Sequence, residues 1–335
     1  MKKLIATLLL IAMALFAFAS CTPESPAGEP EGDTPTIRIG YLAGPTGIGM
    51  AKMINDYKDS DGTKYEFIKY TAPDKAMADI NAGNIDFACV STEVAAKFYN
   101  NGSDIQVMAI NCLNSICLLS NDNQEINSIA DLEGKTIYTS MQGTPKLILS
   151  ALLEAYGVNA TIAHTIGEGD DAVTINSPDQ IAPVIVQNKA DVILAPVHVA
   201  YNAMANPSTK HSIVLDIDSL WDEKFDTSIA MGCIVARAEF VEKYAADTKA
   251  FLNEYKTSIE YMADTANNET AAQYVVDSTI LPNLGPAKGA LVKLSGGLKF
   301  IDGAAMKTTL VNIYGVYGLN TIGGKLPDDG FYYEK

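Results

Sequence analysis

The sequence predicts an α/β fold of two similar lobes joined by crossing strands, and three observations carry that prediction. The first is a repeat: residues 80–101 (INAGNIDFACVSTEVAAKFYNN) and 186–206 (VQNKADVILAPVHVAYNAMAN) say nearly the same thing. With Asp86 set against Asp191, a helix end leads through Asn84 or Lys189 to the aspartate. Four apolar residues and then an alanine-rich helix follow in both copies. A short apolar run between two helices reads as a strand of a covered parallel sheet. The second observation is that the repeat is larger than this. Each copy is preceded by strand, glycine loop, helix, strand and helix, with 42 residues from Gly44 to Asp86 and 48 from Gly143 to Asp191. The third is a pair of apolar stretches, 105–119 and 229–236, placed where the chain leaves the first half and returns to it.

Taken in order, residues 36–42 (TIRIGYL) form a first strand, followed by the loop 43–49 and a helix to about residue 58. The loop spacing, G-x-x-G-x-G, differs from the dinucleotide fingerprint G-x-G-x-x-G, and no acidic residue ends a clear second strand about 20 positions on. Its small residues still let backbone N–H groups converge at a helix start. A strand at 65–70, a helix at 74–81 and the first copy of the repeat come next. In the stretch 105–119, Asn111, Asn114 and Ser115 interrupt the apolar run, as expected of a crossing between lobes. The second half opens with a strand at 136–140, a loop at 141–145 and a helix at 146–156 ended by Gly157. Thr144 fits an N-cap there and Pro145 a first helical residue. After a strand at 212–217 comes a segment with the only tryptophan, Trp221, and Phe225; the run 229–236 then crosses back. Residues 240–263 read as one long amphipathic helix whose Phe251, Tyr255, Ile259 and Met262 face the core. Helices at 271–278, 287–294 and 303–314 and the tail LPDDGFYYEK complete the chain.

The N-terminus lies outside this fold. Lys2 and Lys3 precede an apolar run, the pattern of a secretory signal over residues 1–20. The run is shorter than the about 20 residues that a membrane span needs. Residues 21–35, rich in Pro, Glu and Gly, read as a flexible tether. The whole chain has a formal net charge of −16, and losing Lys2 and Lys3 with the leader takes it to −18. That balance opposes nucleic acid or an anionic membrane surface as partner. Beyond Cys21, the cysteines Cys89, Cys112, Cys117 and Cys233 sit in apolar stretches and are expected as free, buried thiols. As residues of a single strand, Cys112 and Cys117 would point to opposite faces.

Catalytic constellations are not apparent. His164, His198 and His211 lack the spacing of a zinc site, and neither a G-x-S-x-G elbow nor a P-loop occurs. Asp170 and Asp171 read as a solvated acidic turn. No metal or cofactor is expected, and no residue is assigned a catalytic role.

Several segments resemble one family. They are Ile37-Arg38-Ile39-Gly40-Tyr41 with the loop 44–49, then 82–87 (AGNIDF), 131–137 (DLEGKTI) and 326–333 (LPDDGFYY). The leader ends Phe18-Ala19-Ser20-Cys21, similar to a bacterial lipobox, in which the cysteine is acylated, although an aliphatic residue is usual where Phe18 stands. Together these resemble the solute-binding lipoprotein of a bacterial ABC importer, in the group serving nitrate, taurine, alkanesulfonates and thiamine-pyrimidine precursors. The resemblance implies a type II periplasmic-binding-protein fold, with residues 36–112 and 232–335 as lobe I, 113–231 as lobe II and a ligand cleft between them. It implies a lipid anchor at Cys21, an extracytoplasmic location at the cell membrane, and a monomer that serves a permease and its ATPase.

Ligands of such sheets lie beyond the carboxyl ends of the strands. By the family's pattern the first wall is Tyr41, Gly44, Thr46, Gly47, Ser91 and Thr92, and the crossing adds Asn111, Asn114 and Ser115. The second wall is Ser140, Gln142, Gly143, Thr144, Pro196 and His198; Trp221 and Phe225 either stack on a flat ligand or pack within the lobe. The only arginines, Arg38 and Arg237, fall outside the wall loops. Helix N-termini are worth about 0.3–1 kcal/mol each, up to ~2 when partly buried. A micromolar ligand needs about 8 kcal/mol. Hydrogen bonding and apolar contact must therefore supply most of it, which favours a neutral or weakly charged organic molecule over a small inorganic anion. Two other classes fit the resemblance: an exported pyrimidine-synthase-like enzyme, and a ligand-sensing subunit docking a membrane receptor.

Overall fold

The computed structural model describes residues 35–60, 64–141, 143–169 and 172–334. The leader, Cys21 with its tether, Gln142, and Asp170 with Asp171 lie outside the described residues. The body that begins at Thr36 is built on two sheets.

The first half runs β1 (Ile37–Leu42), α1 (Pro45–Ile48), α2 (Ala51–Tyr57), β2 (Tyr65–Tyr70), α3 (Pro73–Asn81), β3 (Phe87–Ser91), α4 (Thr92–Asn100) and β4 (Ile105–Leu113). The chain then crosses into β5 (Ile116–Asn121), β6 (Thr136–Tyr138), α5 (Thr144–Tyr156), β7 (Thr161–Ala163) and a small hairpin, β8 (Thr165–Ile166) with β9 (Val173–Thr174). Next come α6 (Ile181–Val186), β10 (Val192–Pro196), α7 (Val197–Met204), β11 (His211–Leu215) and α8 (Ile217–Asp222). The return strand β12 (Ala230–Arg237) leads to α9 (Ala238–Lys243), α10 (Ala245–Ala263), α11 (Asn268–Asp277), α12 (Leu284–Leu294), β13 (Leu298–Ile301) and α13 (Gly303–Tyr317).

The larger sheet has the order β13-β4-β12-β3-β1-β2 and the smaller one β11-β5-β10-β6-β7. Without the edge strand β13, both obey one rule. The first strand of the unit sits between the second and third, and a strand arriving from the other half is inserted antiparallel beside the third. That guest is β12 in the larger sheet and β5 in the smaller, so each sheet is completed by one of the two crossings. The repeat read from the sequence is thus a repeat of topology, and the fold is two α/β lobes joined by crossing strands.

The two aspartates that aligned the repeat are buried or anchored beneath their strands. Asp86 is 1% exposed. It accepts hydrogen bonds from Arg38 Nε (3.0 Å) and Nη2 (2.7 Å) and from Arg237 Nη2 (2.9 Å). Asp191 accepts from Asn121 Nδ2 (2.5 Å) and Gln124 Nε2 (3.2 Å). Both carboxylates tie the third strand of a unit to a neighbouring strand or the turn beyond it.

Several expectations shift in detail. Asn111 does not interrupt its strand: β4 runs on to Leu113, and the turn falls at Asn114 and Ser115. Asn114 adopts φ 48°, a left-handed conformation that Asn tolerates better than most residues. That turn puts Cys112 and Cys117 on different strands, within one core cluster, rather than on opposite faces of one strand. The thiols of Cys89, Cys112, Cys117 and Cys233 are free and buried. The long helix breaks at Tyr244 (φ −125°, ψ 51°) into α9 and α10. The four-residue edge strand β13 is an element the sequence reading does not contain. Among the described residues no helix is long and apolar enough to cross a membrane.

Candidate functional site

The carboxyl ends of the inner strands bring several of the expected wall residues together. On the larger sheet, Gly232 pairs with Ser91 on one side and Cys112 on the other, so Ser91, Gly232 and Cys112 lie in one row, with Asn111 at the register shift beside it. The loop after β1 covers that row. The Thr46 carbonyl accepts from Asn111 Nδ2 at 3.2 Å, and the same amide donates to the Tyr255 hydroxyl at 2.9 Å. Gly47 cannot be replaced without moving this loop, because a Cβ there would lie 2.1 Å from the Leu42 carbonyl oxygen. Gly232 is similarly constrained: a side chain would meet Thr46 Cγ2 at 2.5 Å and Asn111 Oδ1 at 2.6 Å.

The smaller sheet supplies the opposing edge. Pro196 ends β10 and N-caps α7, and the Val197 N–H donates to the Ser115 carbonyl at 2.9 Å, fastening the crossing turn to this wall. The two walls meet where Gly44 faces His198. A Cβ on Gly44 would stand 3.2 Å from both Cε1 and Nε2 of the imidazole. His198 is 7% exposed, and its Nδ1 has no hydrogen-bond partner in the protein. Burial lowers its pKa to about 4, so the ring is neutral at physiological pH. It therefore offers one donor and one acceptor rather than a charge. Two more buried polar atoms without a partner lie on residues at strand ends, Asn111 Oδ1 in the first wall and Thr139 Oγ1 just after β6.

Other expected contacts are used elsewhere. The Tyr41 hydroxyl donates to the Ser278 carbonyl (3.2 Å), which commits it to packing under α11. Thr92 is fully buried, its Oγ1 donating to the Ala230 carbonyl at 2.7 Å. Thr144 is the first residue of α5 and Gly143 its N-cap, which corrects the capping assignment; Thr144 is 2% exposed. Gly143 holds φ 94°, which suits glycine. Ser140 is buried just beyond β6. Trp221 is not a stacking surface for the cleft. It is 0% exposed, its Nε1 donates to the Thr227 carbonyl (2.6 Å), and its ring stacks on Phe225 at 4.1 Å.

Two residues that shape the site went unassigned in the sequence. Tyr255 is core, as its helical spacing predicts, but its hydroxyl also positions Asn111 and lies 3.4 Å from Cys89 Sγ. Burial pushes the Cys89 thiol up to about 12, which keeps it inert. Gly232 carried a usable signal, a glycine inside an apolar strand, which often marks close backbone approach. The side chains of the assigned wall residues are all uncharged, and both arginines of the chain are bound to Asp86. Among the described residues no cluster of His, Cys, Asp or Glu could hold a metal ion.

Comparison with solved structures agrees with this architecture. An ABC transporter protein from Parabacteroides distasonis is 18% identical, with a TM-score of 0.71 over 90% of this chain and 99% of that one. The periplasmic aliphatic sulphonate binding protein SsuA from Escherichia coli is 15% identical, with a TM-score of 0.68 over 90% and 92%. The periplasmic nitrate-binding protein NrtA from Synechocystis is 15% identical, with a TM-score of 0.55 over 73% and 66%. At these identities the likeness is one of fold. No curated protein matches the sequence. The family model described as NMT1/THI5 like matches residues 46–268, and the chain belongs to that family.

Proposed function

We propose that the chain is an extracytoplasmic solute-binding lipoprotein that captures a small organic molecule between its lobes and delivers it to an ABC-importer permease. The observation that carries this reading is the pair of like sheets whose strand ends converge, with Gly44 of one wall against the neutral, partly unpartnered His198 of the other. Membership of the NMT1/THI5-like family and the likeness to importer binding proteins support it. In this reading lobe I is residues 36–112 with 232–335, lobe II is 113–231, and the crossings at Asn114 and before Ala230 are the hinge. Residues 1–20 are the leader, and Cys21 carries the lipid that holds a monomer at the membrane. The protein binds rather than catalyses.

The wall groups also narrow the ligand. Asn111 Oδ1 accepts, His198 donates through one nitrogen and accepts through the other, and no guanidinium faces the cleft. An inorganic anion would depend on backbone dipoles worth at most ~2 kcal/mol each. A neutral or weakly charged molecule with hydrogen-bonding groups and an apolar part suits the walls better. A thermal-shift screen of the purified protein against vitamins, heterocycles, sulfonates and amino acids, followed by calorimetry, tests this. A neutral hit that loses its shift in His198→Ala supports the reading. Micromolar binding of nitrate or sulfate, unaffected by heterocycles, overturns the ligand class. Failure of the wild-type protein to incorporate labelled fatty acid, or equal incorporation in Cys21→Ala, would overturn the lipid anchor.

A further inference from the structure

Outside the cleft, α12 touches the opposite lobe in two ways. This helix leads directly into β13 and is thereby tied to the larger sheet, whereas α7 and α8 flank the smaller one. Yet Ala287, Ala290, Leu291 and Leu294 of α12 share a buried cluster with Val197, Val199, Ala200 and Ala203 of α7. The approach is close because position 289 is glycine. A Cβ there would stand 2.4 Å from Cδ1 and 2.6 Å from Cε1 of Tyr201, a rigid ring that cannot bend away. One turn further on, Lys293 Nζ lies 3.3 Å from a carboxylate oxygen of Asp216 and 3.3 Å from one of Asp218, at the start of α8. Cys117 and Tyr201 are the other titratable groups near this ammonium, and Asp222 stands near Asp218.

We propose that these contacts form a latch, Tyr201 seated on Gly289 and Lys293 gripped by Asp216 and Asp218, that holds the lobes closed in the absence of ligand. Ligand affinity is then set partly outside the cleft, because any free energy that favours the closed arrangement reduces what the ligand must supply to reach it. None of the latch residues belongs to the walls.

The test needs no ligand, so its outcome is independent of what the cleft binds. Spin labels are placed in the full chain at exposed positions on the two lobes, through Lys75→Cys and Glu154→Cys. Cys21→Ser is included so that the introduced thiols are the ones labelled, the thiols of the folded body being buried. Pulsed electron resonance then reads the distance distribution between the lobes. The unliganded protein is expected to show a dominant short distance. Gly289→Ala should move the population to a longer one, and Lys293→Gln should lower the closed-to-open ratio about two- to five-fold, the range of a partly exposed ion pair. Lys293→Gln decides the matter if Gly289→Ala fails to fold. A shift in either variant supports the latch. A wild-type distribution dominated by the longer distance, or both variants matching the wild type, overturns it.

Discussion

At the scale of single residues, His198 and Thr92 show how burial separates a contact from a support. His198 is buried without a partner for Nδ1, and burial lowers its pKa to about 4. The unfolded chain, with a histidine near 6.5, takes up its proton first as the pH falls. The sign follows: His198 imposes no cost above about pH 6.5, and stability is lost progressively between 6.5 and 4, by up to about 3 kcal/mol. In His198→Gln that loss is absent, so urea unfolding at pH 7 and pH 4.5 should show a smaller difference for the variant than for the wild type. Equal differences would mean that the imidazole is hydrated in the folded protein. Thr92 is the opposite case. The sequence places it on the ligand wall beside Ser91, but its hydroxyl is already bonded to the Ala230 carbonyl. Thr92→Val keeps the shape and removes that bond, at about 1 kcal/mol of stability. The increment in melting temperature produced by a ligand should be unchanged, and its disappearance would return Thr92 to the wall.

At the scale of elements, Asp86 is the joint of the larger sheet. It immediately precedes β3, and its carboxylate receives Arg38 of β1 and Arg237 at the end of β12, so three neighbouring strands are fixed by one side chain. Asp86→Ala would leave two guanidinium groups beside each other without their partner. Removing one partner of a buried ion pair costs about 3–5 kcal/mol. Because Arg38 and Arg237 remain partly exposed, at 32% and 23%, we expect the low end of that range, about 3 kcal/mol in urea denaturation. Arg38→Ala should cost less, since Arg237 stays in place; the reverse order would contradict the joint. The same elements show what was legible from sequence. The repeat, the Asp-led strands and the two crossings could be read because apolar runs, glycine loops and aspartates are local signals. The break at Tyr244 and the edge strand β13 could not, since Tyr244 is an ordinary helical residue by composition and β13 exists only by pairing with β4. In the site, the glycine loop and His198 were legible as strand-end residues. The fates of Thr92, Tyr41 and Trp221 were decided by carbonyls that approach in the folded chain, of Ala230, Ser278 and Thr227. Local sequence spacing holds no record of which carbonyl will arrive.

At the scale of the whole molecule, exchanging a strand between like units makes their stabilities interdependent. Residues on both sides of the smaller sheet's segment are needed to complete the larger sheet, because β12 is inserted between β3 and β4. The buried clusters are not divided by lobe either. One contains Ile37 and Ile39 of β1 together with Ile193 and Ala195 of β10, and the other contains Val90 of β3 together with Leu194 of β10. Two-lobed proteins need not unfold in one step, but a core shared in this way couples their transitions. Trp221, fully buried beside the smaller sheet, is the only tryptophan and so reports on one lobe alone. Far-ultraviolet circular dichroism reports on both. If the lobes are coupled through the crossings and the α7–α12 contact, the two probes should trace one urea transition with a common midpoint. Lys293→Gln and Gly289→Ala would then be expected to pull the curves apart, because they weaken the contact while leaving each lobe's own packing in place. A tryptophan midpoint already separate from the dichroism midpoint in the wild-type protein would show that the continuous segment carrying the smaller sheet folds by itself and that the shared core is only a consequence of closure.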